Sequence, residues 1–318
     1  MIGSLSGNQM FSDLDALGVR VFVLDVREKD LTCDWAVLSG DERERANRFV
    51  RPADRAVFVA GRAAMRRMLG EELGVAPEQV SIVTGEHGRP RLAGEMATAL
   101  DFNVTHTTTC VAGAVVRSGA RVGIDVESTS VGRNLDLLIQ EVTGVRERTR
   151  LTELQGAARA HAFLACWTRK EAIAKAFGTG VAYPLRNIDL PNEPLHGTVS
   201  FQCCDVPAER CRNWMIRTAA TVSEEFVLSI AVHGHEMPFR PTTPSLPSSD
   251  CVSGVGIAAP SVAVQAAGKC KIPPLRRALM SKFPVSDFGR PRGGGRSSPT
   301  GRVATQAGQP LARTAAAS

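Results

Sequence analysis

No Cys-x-x-Cys pair occurs among the eight cysteines of this chain; Cys203 and Cys204 are adjacent and the others are scattered. That spacing argues against a zinc or dithiol motif, and reduced thiols of a cytoplasmic protein are the expectation. No secretory leader is expected either, because Asp13 and Asp15 interrupt the start. No long apolar run is present. The most apolar late stretch, "VSGVGIAAPSVAVQAAG", is too short, small and Pro-interrupted to span a bilayer. Acidic residues are nearly missing from residues 237–318, which carry 11 Lys/Arg against 2 Asp/Glu, a net charge of +9. Residues 1–236 then carry −3 out of the total of +6. The body is slightly acidic, which argues against nucleic acid as its main partner, although the tail arginines could contact RNA or a membrane surface weakly. The tail is rich in Pro, Ala, Gly, Ser and Arg without periodicity, and is expected to be disordered.

What is present suffices for a real core: 318 residues allow one large or two small domains. "VFVLDV" (21–26) predicts a strand, and "SGDERERANRF" opens a helix with a capping box, Ser39 with Glu42. "PADRAVFVAGRAAMRRMLGEELG" predicts a longer helix ending at Gly74. "CVAGAVVR" (110–117) and "RVGIDVE" (121–127) flank Ser118-Gly119 and predict a hairpin, with "FNVTHT" (102–107) as a turn-like segment before it. A polar helical stretch follows, then the helix around 163–178, then a second predicted hairpin of "WMIRTAATV" and "FVLSIAVH". Each half offers a long helix and an antiparallel sheet. The expected fold class is α+β: two similar lobes, residues 1–119 and 120–236, with the tail at 237–318 and a cleft between the lobes.

The helix "FLACWTRKEAIAKAFG" has its charges in unusual places. Phe163, Cys166, Trp167, Ala174 and Phe177 form one apolar stripe. Lys170 falls inside that stripe, Glu171 at its edge and Lys175 one turn further on. A plain i,i+4 salt bridge between Glu171 and Lys175 is the simplest reading.

In "RVGIDVE", period two sends Val122, Ile124 and Val126 to one face and Asp125 and Glu127 to the other. Carboxylates about 7 Å apart on one strand face repel unless a cation sits between them. A Mg²⁺ ion is one such cation; a solvated strand face is the alternative. Three further groups suit phosphate: His106 in "FNVTHT", Arg89 before Pro90 in "GEHGRPRL", and Arg45 with Arg48 on one helix face. Taken alone, His106 is equally a structural histidine, Arg89 a surface loop arginine, and Arg45 with Arg48 an exposed basic face.

The ordered set GRP, FNVTHT, GIDVE and WTRKEA…K resembles the Sfp-type 4′-phosphopantetheinyl transferases over residues 20–235. The resemblance implies a pseudo-dimer of two α+β lobes. It also implies Mg²⁺ or Mn²⁺, coenzyme A as co-substrate, and transfer of phosphopantetheine to a serine of an acyl or peptidyl carrier protein, in the manner of holo-[acyl-carrier-protein] synthases. By the same resemblance Asp125, Glu127 and Glu171 hold the metal, and Glu171 is the base for the serine. Lys175 and His106 hold the pyrophosphate, with Thr105 where the family often has Ser. Arg89 and Pro90 line the nucleotide site, and Arg45 meets the 3′-phosphate. Lys170 either snorkels from the stripe or pairs with an acid of the other lobe. No specific nucleic acid or membrane insertion is expected, and a monomer is. The rivals are an inactive carrier-binding relative and a Mg²⁺-dependent hydrolase of coenzyme A or nucleotides.

Overall fold

A computed structural model describes residue 14 and residues 17–234, apart from positions 28, 86–87, 99, 118, 131–133, 179–182, 192–197, 204–205 and 221–224. The basic tail lies outside the described residues, and so does the expectation of disorder made for it.

In the first half, β1 (Val19–Asp25) leads to a short helix α1 (Thr32–Ala36) and then to α2 (Gly40–Asn47). Helix α2 opens on the capping box read from the sequence: the Ser39 hydroxyl accepts the Glu42 N–H, and the Glu42 carboxylate accepts the Ser39 N–H. The long helix α3 (Pro52–Leu73) starts on proline and ends at Gly74, whose φ of 68° suits a residue without Cβ. Two short strands, β2 (Ile82–Thr84) and β3 (Pro90–Leu92), pair with each other. Strands β4 (Leu100–His106) and β5 (Cys110–Arg117) complete a three-stranded antiparallel sheet of order β1-β5-β4.

In the second half, β6 (Ala120–Ser128) is followed by α4 (Leu135–Val142), α5 (Val145–Thr152) and the long helix α6 (Gly156–Phe177). Helix α6 stops at Gly178 with φ 81°. Two-residue strands β7 (Ile188–Asp189), β8 (Thr198–Val199) and β9 (Gln202–Cys203) precede β10 (Trp214–Ala220) and β11 (Phe226–Gly234). The second sheet has the order β6-β11-β10-β8, and β7 pairs with β9. Strands β10 and β11 form the hairpin expected there.

The other expected hairpin is corrected. Strand β5 pairs with β1 and β4, whereas β6 pairs with β11, so the chain changes sheet at Gly119. Two alternating strands with a Ser-Gly turn carry the local signal of a hairpin, but nothing local says that the second strand has a better partner a hundred residues on. The true hairpin is β4–β5. Thr107 closes it, its N–H donating to the Cys110 carbonyl and its hydroxyl accepting the N–H groups of Thr109 and Cys110. "FNVTHT" is therefore mostly strand, not turn.

The layers run helix, sheet, sheet, helix. Phe102, Val104, Val111 and Val115 pack against Val57, Phe58, Met65 and Leu69 of α3. Val19, Val21, Ala112 and Ala114 meet Val122, Ile124, Leu228 and Ile230 between the sheets. Helix α6 covers the far face of the second sheet through Phe163, Ile173, Ala176, Val227 and Ala231. Its closest approach is at Gly123, where a Cβ would stand 1.9 Å from the Ala172 carbonyl oxygen. A Cβ has no rotamer and the atom it would meet is backbone, so no side-chain motion can relieve the clash. Gly123→Ala should cost more than about 3 kcal/mol, at or beyond the upper end of overpacking penalties, read as a large drop in the thermal midpoint; an unchanged midpoint would show that α6 is free to lift.

Candidate active site

Strand β6 and helix α6 build the site together. The apolar side chains of β6 enter the core between the sheets, so Gly123, Asp125 and Glu127 face α6. This is not a solvated strand face: Asp125 is 4% exposed and Glu171 only 3%. Gly123 lets the helix descend far enough for its next turn to reach the strand's carboxylate.

Lys175 supplies the contact. Its ammonium donates to Asp125 Oδ1 at 2.6 Å, to Thr105 Oγ1 at 3.0 Å and to the Ile124 carbonyl at 3.1 Å. The Thr105 hydroxyl in turn donates to Asp125 Oδ1 at 3.2 Å. Lys175, Asp125 and Thr105 thus close a small buried ring across β4, β6 and α6. Asp125 Oδ2 is buried with no hydrogen-bond partner. Burial pushes the Glu127 carboxyl well above the usual range. The charges of Asp125 and Glu171 push the same way and Lys175 opposes them. Three carboxylates therefore crowd one ammonium.

That donor set suits a hard divalent ion: oxygen ligands, excess negative charge, and one buried carboxylate oxygen with lone pairs unspent. Among the described residues no three His, Cys, Asp or Glu side chains are drawn together closely enough to chelate an ion as they stand. Lys175 is the cation seen on Asp125.

The other expected residues fall differently. Arg89 is turned inward, which corrects its reading as a free clamp for phosphate. One terminal nitrogen donates to the Lys175 carbonyl. The other donates to Asp101 Oδ2 at 2.8 Å, the Phe102 carbonyl at 3.0 Å and the Val122 carbonyl at 2.9 Å. Burial lowers its pKa despite the partner Asp101. Four protein oxygens compete for it because it sits where β3, β4, β6 and α6 converge. Pro90 opens β3 and is buried. His106 ends β4, its Nδ1 3.1 Å from the Thr107 carbonyl. Arg45 stands apart from the ring, its guanidinium 5.2 Å from the centroid of Phe58 on α3.

Lys170 receives the plainest correction. It neither snorkels nor reaches the other lobe. It is 0% exposed, its ammonium bound to Glu147 Oε2 and, at 2.9 Å, to the Val142 carbonyl. Val142 is the last residue of α4, and Glu147 Oε2 also accepts the Gly144 N–H at the start of α5. One ion pair thus places a cation at one helix C-terminus and a carboxylate at the next N-terminus, where both dipoles favour it.

Sequence reasoning missed Asp101 and Asn103, which bind the β6 backbone beside the ring, and Glu147, the partner of Lys170. The first two were legible: "LDFNVT" alternates apolar and polar strictly.

Comparison with known proteins gives this geometry its family. A family model described as "4'-phosphopantetheinyl transferase superfamily" matches residues 121–231, and one described as "4'-phosphopantetheinyl transferase, N-terminal" matches residues 26–117. The 4'-phosphopantetheinyl transferase HetI of Nostoc sp. is 37% identical over 175 residues, 54% of this chain and 73% of that protein. The chain belongs to the 4′-phosphopantetheinyl transferase superfamily. A phosphopantetheinyl transferase of Thraustochytrium sp. is 26% identical over 63% of this chain and 72% of its own length. The transferase AcpT of Escherichia coli K12 is 31% identical over 47% and 69%. Asp125, Glu127, Glu171 and Lys175 fall within the superfamily match; Arg45, Arg89, Thr105 and His106 fall within the N-terminal one. Among the described residues no helix is long and apolar enough to cross a membrane.

The Lys170–Glu147 pair yields a prediction. Lys170→Met strands a buried carboxylate and should cost about 3–5 kcal/mol, whereas Lys170→Met with Glu147→Leu should recover most of it. Chemical denaturation of the three proteins checks this; equal stability of the single variant and wild type would contradict it.

Proposed function

We propose that this chain is an Sfp-type 4′-phosphopantetheinyl transferase. It moves the phosphopantetheine arm of coenzyme A to a serine of an acyl or peptidyl carrier protein and releases adenosine 3′,5′-bisphosphate. It acts as a cytoplasmic monomer built as a pseudo-dimer of two lobes. The observation that carries this reading is the buried Lys175–Asp125–Thr105 ring, with Glu171 one turn before Lys175, at the meeting of two sheets in a chain of this superfamily.

The chemistry follows from charge. The serine oxygen bonds to the β-phosphorus of coenzyme A, and the bond from that phosphorus to the bridging oxygen breaks. The electron pair leaves on the 5′-phosphate of the nucleotide. Glu171 accepts the serine proton, directly or through a water. Lys175 and His106 meet the pyrophosphate oxygens where negative charge grows, in a site dry enough for that attraction to count. Arg45 meets the 3′-phosphate, while Arg89 and Pro90 border the nucleotide by holding the backbone around it. Asp125, Glu127 and Glu171 would hold Mg²⁺ or Mn²⁺, which supplies neutralisation of the pyrophosphate when bound.

Two results are expected. Glu171→Gln should lower kcat by about two orders of magnitude or more with little loss of coenzyme A affinity. Lys175→Ala should weaken coenzyme A binding together with the rate. Calorimetry with coenzyme A, and turnover on an apo carrier protein, separate the two; near wild-type turnover by folded Glu171→Gln would refute its role. For the metal, Mg²⁺ should raise the melting temperature of the wild type without substrate, as any ligand of the native state does, and Asp125→Asn should lose most of that gain. Full activity in excess EDTA would refute the metal assignment.

A further inference from the structure

Strands β4 and β6 lie side by side in different sheets, and each is the edge of its own sheet. An edge strand carries unpaired N–H and C=O groups, and when it is buried those groups need partners. Ile124 is 0% exposed. On β6 the outward N–H groups of Val122 and Ile124 find side chains instead of another strand's backbone. Asp101 Oδ2 accepts the first at 2.8 Å and Asn103 Oδ1 the second at 3.0 Å. Thr105 takes the next step of the same row with its bond to Asp125. The carbonyls are matched too, Val122 by Arg89 and Ile124 by Lys175.

We propose that Asn103 is a positioning residue for the transfer reaction. It fixes β6 one residue before Asp125, so that the Asp125 carboxylate and the Ile124 carbonyl both meet the Lys175 ammonium. The proposal rests on the reading of Asp125 and Lys175 given above. Of the three side chains in the row, Asp101 also serves Arg89, and Thr105 also serves Lys175. Asn103 meets β6 through its backbone alone. It is 5% exposed and neutral. A carboxylate there would accept the same N–H but add negative charge beside three acids already crowding one ammonium. An amide gives the geometry without the charge.

The test compares wild type with Asn103→Ala, Asn103→Ser, Asn103→Asp and Asp125→Asn, assayed with coenzyme A and an apo acyl carrier protein well below each melting midpoint. Coenzyme A affinity is measured by calorimetry. Misplacement of a reacting group is costly in rate, so Asn103→Ala should lose about tenfold or more in kcat while coenzyme A affinity changes by less than about threefold. Asn103→Asp should recover part of that rate, because it accepts the same N–H. A folded Asn103→Ala with kcat within twofold of wild type overturns the proposal. Should Asn103→Ala fail to fold, Asn103→Asp must outpace Asn103→Ser; equal rates overturn it. Full turnover by Asp125→Asn would instead remove the reading of the site, and this proposal with it.

Discussion

The site depends on one ammonium: Lys175 holds a strand, a helix and a hydroxyl together at the point where two sheets meet. Its bond to Asp125 is short and almost fully screened from water. In that setting a charge pair is worth much more than on the surface, and loss of either partner leaves a buried charge behind. The rest of the fold can be read as the means of delivering Lys175 there. Gly123 removes the side chain that would hold α6 away, Gly178 ends the helix one turn later, and Arg89 binds the Lys175 carbonyl from below.

The two buried lysines of α6 divide the work. Lys170 and Glu147 form a closed pair at the α4–α5 corner, where two helix ends help to offset the cost of burial. Lys175 instead meets Asp125 beside Glu127, whose carboxyl burial pushes upward, with the charges of Asp125 and Glu171 adding to the effect and Lys175 opposing it. Perturbed carboxyls gathered around one ammonium are the pattern of sites that bind ligands more often than of closed structural ion pairs. The five-residue step from Lys170 to Lys175 places them on different faces, one toward helices and one toward the seam of the sheets.

Much of this was legible in the sequence, and the failures have physical causes. Period two in "RVGIDVE" placed Asp125 and Glu127 on the face opposite Val122 and Ile124, and the capping box at Ser39 was plain. Both are local patterns set by backbone geometry. The exchange of β6 from one sheet to the other was not legible, because Ser118-Gly119 between two alternating strands looks the same whether the strands pair or part. Arg89 read as a phosphate ligand because a loop guanidinium next to proline has no visible partner until Asp101, Val122 and Lys175 are brought around it. Lys170 read as a snorkelling side chain because Glu147 lies 23 residues upstream on another helix. The row of Asp101, Asn103 and Thr105 was present in the alternation of "LDFNVT", and the turn-forming character of Asn and Thr hid it.

The most direct measurement is the intact mass of an apo carrier protein after incubation with coenzyme A, Mg²⁺ and either the wild-type protein or Asp125→Asn. The account predicts that the carrier gains one phosphopantetheine group with the wild type and stays unmodified with the variant over the same time. Equal modification by both proteins would contradict it, because the ring that organises the fold would then have no part in the chemistry.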